Sequence, residues 1–150
     1  MKTRSEMLKD LWIISRSRLT ELCKEFKNEQ LGLRLHPDSN SMGFLLTHIG
    51  ETELLFGKAV FGFDANAIPK TFGKKYTDNE LFSDLTPILA LLEEADTKMI
   101  EAISKVEEDK WDTIVTTPIG PFGLSDAFGR IISHTNYHLG QIGLIMKYGK

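Results

Sequence analysis

The chain has 150 residues, and its 18 Lys plus Arg against 21 Asp plus Glu give a formal charge of −3. That length fits one domain, because a chain of this size buries roughly 70% of the surface its unfolded form exposes, and 41% hydrophobic residues are too many for disorder. The charge lacks the basic excess of a nucleic-acid binder, and a lone cysteine, Cys23, excludes a disulfide framework or a multi-cysteine zinc site.

The first residues, Met-Lys-Thr-Arg-Ser-Glu, lead into an amphipathic segment without a signal-peptide core, so a cytoplasmic location is expected. No stretch approaches the roughly 18 continuous apolar residues of a membrane span, and no membrane partner is expected. From Met7 to Phe26, the residues Leu8, Leu11, Trp12, Leu19, Leu22, Cys23 and Phe26 recur at the spacing of one helix face. Arg16, Arg18, Glu21, Lys24, Glu25 and Lys27 are assigned mostly to the opposite, solvated side. A break follows Leu31. Pro37, Asp38, Ser39 and Asn40 then form a helix-start cluster, since short polar side chains cap orphan backbone N–H groups.

The second helix is predicted from about Ser41 to Phe61, stopping near Gly62. It carries two adjacent stripes: Met42, Leu46, Ile49, Glu53, Phe56, Val60, and Leu45, His48, Thr52, Leu55, Ala59. Both are mostly apolar, which predicts burial over a wide arc. His48 and Glu53 are the polar members and require partners there. A loop rich in Gly, Pro and Lys spans roughly Asp64 to Thr77, and residues 78–84 read either as a turn or as the start of a kinked helix. In the third helix Thr86-Pro87 serves as cap and first turn, and the stripe is Ile88, Leu91, Leu92, Ala95, Met99, Ile103 and Val106. Thr113 to Gly123 holds two prolines and two glycines and reads as an ordered loop. The last helix is predicted from about Ser125 to Lys147, with the stripe Ala127, Ile131, His134, His138, Ile142 and Ile145, and Gly149 just beyond it. Four helical patterns without a convincing strand predict an all-α four-helix bundle.

Helical phasing then sorts the four histidines. His36 falls in a loop. His134 and His138, four apart, point the same way one turn apart, and His48 lies on the inward side of the second helix. Two readings stand at this point. They are core histidines, each unsatisfied nitrogen costing about 1–3 kcal/mol, or they are ligands to one metal ion. Around them, Glu51 or Glu53 could orient a histidine or serve as general base; Glu51 shares the side of His48 but reads first as solvated, while Glu53 lies about 140° away and reads as a contact to a neighbouring helix. Gln141 could hydrogen-bond near the site and Gly140 could let helices approach closely, but both read first as packing features; Tyr137 reads as pointing away, and Arg130 as a surface ion pair that could otherwise meet an anionic substrate. Cys23 reads as an inert core thiol.

The segment Ser133-His134-Thr-Asn-Tyr-His138-Leu-Gly140-Gln141-Ile142 resembles the C-terminal His-x-x-x-His-x-Gly-Gln motif of the DinB-like superfamily. Leu46-Thr-His48-Ile-Gly-Glu-Thr-Glu53 is similar to that superfamily's first histidine segment, with its acidic residue five positions on. The order of elements matches over nearly the whole chain. The resemblance implies an up-down-down-up bundle, a divalent metal held by His48, His134 and His138, and a homodimer. It also implies a small-molecule substrate, with a low-molecular-weight thiol as a candidate co-substrate, because members include thiol-dependent S-transferases and isomerases and proteins described as metal-dependent hydrolases. Leu139 stands where many members have Arg, and Arg130 where some have a further histidine. Imidazole donors suit Zn, Ni, Cu or Fe over Mg or Ca without choosing among them; Zn or Ni is expected foremost, with Fe, Cu or Mn as further candidates. Three function classes remain: a metal-dependent transferase or hydrolase, a non-catalytic metal-binding or stress-response protein, and an interaction module.

Overall fold

Thr3 opens the first helix: its hydroxyl accepts from the Glu6 N–H while the Glu6 carboxylate accepts from the Thr3 N–H. This reciprocal pair satisfies two orphan donors and starts α1 (Arg4–Cys23) three residues before the segment read from Met7. The computed structural model describes residues 1–66, 68–72 and 82–150. Within it, α2 spans Met42–Phe61, α3 Leu85–Lys105 and α4 Leu124–Tyr148. Ser41 caps α2 by accepting from the Phe44 N–H, just after the polar cluster at 37–40. Gly62 ends it at φ 74°, a left-handed conformation that favours a residue without Cβ. The cap of α3 is Asp84, which accepts from the Thr86 N–H, so the helix begins one residue before the predicted Thr86-Pro87 start. The loop predicted for 64–77 and the turn predicted for 78–84 lie partly outside the described residues.

Contacts between helices fix their directions. Trp12 reaches Asp96 and Arg16 reaches the Leu92 carbonyl, so α1 and α3 run antiparallel. Gly50 lies against Leu91 and Gly57 against Met99, so α2 and α3 run parallel. His48 meets His138 while Phe61 meets Phe128, which makes α2 and α4 antiparallel. The result is the up-down-down-up bundle. The α2–α3 approach is close at Gly50, where an added Cβ would stand 2.8 Å from Leu91 Cγ, and at Gly57, where it would stand 2.8 Å from Met99 Sδ. Gly50 thereby lets α2 and α3 close up over the face opposite the histidines.

The core has two main parts. Leu19, Phe26, Met42, Leu46, Leu92 and Ile142 belong to one apolar cluster. Trp12, Met99, Ile103, Trp111, Phe128 and Ile131 belong to the other. Between them lies a polar layer. Arg16, 4% exposed, donates through Nε and Nη2 to the Glu53 carboxylate, itself fully buried, and through Nη2 also to the Leu92 carbonyl. Thr135 donates to Glu53 Oε1 at 2.9 Å. Arg16 was expected on the solvated side; its buried partner on α2 places it inside instead. Leu11, expected in the stripe, is exposed. Glu53 does contact a neighbouring helix, as its angle round α2 predicts.

The segment read as a loop is a hairpin. β1 (Ile114–Thr117) pairs antiparallel with β2 (Gly120–Gly123), with Val115 opposite Phe122. Four-residue strands with a proline in β2 give too little alternation to read as strands. The hairpin joins α3 to α4 and brings its tip toward the histidines. Among the described residues, no helix is long and apolar enough to cross a membrane.

Candidate metal centre

His48 sits near the start of α2, and His134 and His138 occupy the same inward face of α4. Because α2 and α4 run antiparallel side by side, the three rings meet. His134 Nε2 lies 3.2 Å from His48 Nε2 and 3.1 Å from His138 Nε2. Candidate ligand atoms of all three fall within 4.8 Å of one another. Tetrahedral coordination at about 2.05 Å separates ligand nitrogens by roughly 3.3 Å, so this spacing fits a small divalent ion. His36, by contrast, is exposed beside Asp38 and takes no part.

The outward nitrogens explain why the Nε2 atoms face inward. Glu51 is only 2% exposed and accepts from the Lys70 N–H, the Thr71 N–H and the Thr71 hydroxyl. With its proton committed to Glu51, Thr71 Oγ1 accepts from His48 Nδ1–H at 2.9 Å. His138 Nδ1–H donates to Gln141 Oε1 at 2.7 Å. Both rings therefore carry their proton on Nδ1 and present a bare Nε2 lone pair. A proton on His134 Nε2 could satisfy only one of them, whereas a cation satisfies all three. Such anchored outer nitrogens are the usual support of metal-binding imidazoles.

These contacts correct two expectations. Glu51 is not solvated; it is buried and orients His48 through Thr71. Gln141 is not a packing residue; it bonds His138. Gly140 is exposed and an added Cβ would meet nothing within 4 Å, so no helix approach depends on it. Arg130 does form a surface pair with Asp126, at 3.4 Å. Tyr137 is exposed, its ring centroid 5.0 Å from that of His138. Thr71 was missed because it comes from a loop 23 residues after His48 with no periodic signal; the position of Glu51 on the His48 side was the one available hint.

Burial, with His138 nearby, lowers the His48 pKa from 6.5 to about 4, and burial with both neighbouring rings does the same for His134. Burial lowers His138 too, against the pull of Gln141. All three are thus neutral at pH 7, the form in which imidazole ligates. Since His48 and His134 take up protons more readily in the unfolded chain, the metal-free protein is expected to hold its stability above about pH 6.5. It should lose stability as the pH falls toward about 4. Urea unfolding midpoints at several pH values check this, and a His48→Gln/His134→Gln variant should show a shallower loss. Cys23 is half-buried and burial pushes its thiol up to about 11, in line with an inert side chain.

A cavity of about 270 Å³ opens beside His48 and His134. Grooves of about 540 and 660 Å³ elsewhere among the described residues contain no histidine or cysteine, so of these three the smaller cavity is the one beside the candidate ligands.

A conserved protein from Enterococcus faecalis of known crystal structure superposes with a TM-score of 0.72 at 12% identity, covering 97% of this chain and 96% of the other. That likeness is one of fold. No functionally curated protein matches the sequence. The family model of the DinB superfamily matches residues 11–142, which include α2, the three histidines and the buried Arg16–Glu53 pair. With this match and the bundle topology in agreement, the chain belongs to the DinB superfamily.

Proposed function

We propose that the protein is a metal-dependent enzyme acting on a small molecule, either a thiol S-transferase or a hydrolase. In this reading His48, His134 and His138 hold a divalent transition metal, Zn or Ni foremost. One observation carries it: three Nε2 atoms converge while the Nδ1 atoms of His48 and His138 are each bonded to a side chain. An ion held there by three neutral imidazoles would supply Lewis acidity to an incoming water or thiol. The chain's own contribution is orientation: Glu51 and Thr71 hold His48, Gln141 holds His138, and the cavity beside them has room for a substrate.

The test uses protein purified without a histidine tag, loaded with Zn²⁺ or Ni²⁺. It is screened with electrophiles plus low-molecular-weight thiols, and with esters and amides without thiol. Turnover that a chelator abolishes is the expected result. Metal binding without turnover in either panel would overturn the enzyme reading and leave a metal-binding protein. Within the same reading, Glu51→Ala and Gln141→Ala each weaken metal binding by about 10–100-fold, measured by competition with a chromogenic chelator.

The superfamily likeness and an exposed apolar stripe on α1, made by Met7, Leu11 and Ile14, support a homodimer. Light scattering checks it, a monomeric mass being the contrary result.

A further inference from the structure

We propose that the cavity beside the three histidines selects a small, mainly apolar carboxylate, its charged end at Arg130 and its other end presented to the Nε2 cluster. This names a substrate class for the enzyme reading above and rests on it.

Four side chains, Phe56, Phe72, Ile119 and Ile131, make the walls apolar. At about 270 Å³ the space exceeds the roughly 150 Å³ that accommodates benzene, leaving room for a ring and a short chain. Among the described residues the polar lining is Thr52, Arg130, His48 and His134, with no acidic side chain. The two nearby buried carboxylates are turned elsewhere, Glu51 to Lys70 and Thr71 and Glu53 to Arg16 and Thr135. Among the described residues, those facing the cavity are therefore cationic or neutral, and that balance favours an anion.

Arg130 is placed to receive it. Its guanidinium lies over the Phe122 ring, 4.1 Å from the centroid, and its Nε is 3.4 Å from Asp126 Oδ1. That pair is about half exposed, 48% and 57%, and so holds the guanidinium weakly. Neither Nη has a hydrogen-bond partner among the described residues. Thr52 adds a second anchor: it is 4% exposed, and its Oγ1 is buried without a hydrogen-bond partner among the described residues. An empty buried hydroxyl lining a cavity is a group a ligand can satisfy.

The spacing sets the ligand's length. Thr52 lies one turn after His48 on α2, and Arg130 one turn before His134 on α4. Because the helices are antiparallel, both steps lead the same way, toward the hairpin tip at Ile119. Four residues rise about 6 Å, so the charged end lies roughly that far from the reacting end.

The experiment titrates phenylpropanoate, phenylpropanol and phenylpropylammonium into metal-loaded and chelator-treated protein by calorimetry. Wild type, Arg130→Gln and Thr52→Val are compared, with metal content measured for each. The acid is expected to bind about tenfold or more tightly than the alcohol, and the ammonium least. Arg130→Gln should erase the acid's advantage without changing metal content, and Thr52→Val should weaken the acid severalfold. No binding of any probe, or equal binding of acid and alcohol, overturns the proposal. So does an advantage that needs the metal and survives Arg130→Gln, which would place the carboxylate on the ion. A protein that holds no metal yet keeps the Arg130-dependent preference sinks the enzyme reading alone, whereas metal held without the preference sinks this one alone.

Discussion

Protein carrying His134→Ala and His138→Ala together is expected to contain no divalent metal under conditions where the wild type binds it near one per chain. The reason is geometric. These two residues supply two of the three converging nitrogens, and the described residues hold no other cluster of candidate ligands. One remaining imidazole, His48, is a weak monodentate ligand. Elemental analysis of untagged protein reads the effect directly. Stability gives a second reading, because a ligand that binds only the folded state stabilises it by about 2.7 kcal/mol at a hundredfold excess over its Kd. Adding Zn²⁺ should therefore raise the unfolding midpoint of the wild type and leave the double variant unmoved. A wild type without metal, or a double variant that keeps it, would remove the metal reading.

The largest stability effect is expected at the buried ion pair. Arg16 and Glu53 form a two-donor contact, Nε and Nη2 each lying 3.0–3.2 Å from carboxylate oxygens, with both side chains shut off from solvent. Burial pushes the Glu53 carboxyl up, while Arg16 and the Thr135 hydroxyl pull it down. Removing one partner strands the other charge in a low-dielectric layer. Glu53→Leu and Arg16→Met should each cost about 3–5 kcal/mol in urea unfolding. The double change should cost less than the two singles combined, since the buried carboxylate and guanidinium leave together and only the part-exposed Asp96, 3.6 Å from Arg16 Nη1, loses a counter-charge. Additive costs would mean the two side chains do not act as a pair. Because Thr135 precedes Tyr137 and follows His134 on α4, the singles should also loosen the histidine cluster, visible as weaker metal retention.

Much of this architecture was written in the periodicity. The stripes of α2, α3 and α4 placed those helices nearly to their ends, since burial of one face repeats every 3.6 residues and signals such as the polar cluster at 37–40 and Gly62 announce the boundaries. The hairpin escaped because four-residue strands leave almost no alternation to count. Arg16 escaped for a different reason. A charged residue in a helix normally marks the solvated face, and nothing local to α1 reveals that its counter-charge lies on α2, 37 residues away. Glu51 was misplaced likewise: its three donors come from the backbone and side chain of residues 70 and 71, in a loop whose path no pattern encodes.

The histidines divide along the same line. Phasing alone turned His48, His134 and His138 inward and left His36 outside, because a residue's angle round its own helix follows from its position in the chain. The approach of the Nε2 atoms to 3.1–3.2 Å, and the Thr71 and Gln141 contacts that aim them, were decided only in three dimensions. Distances between helices depend on what packs between them, and the partners of a buried nitrogen depend on which loop lies over it.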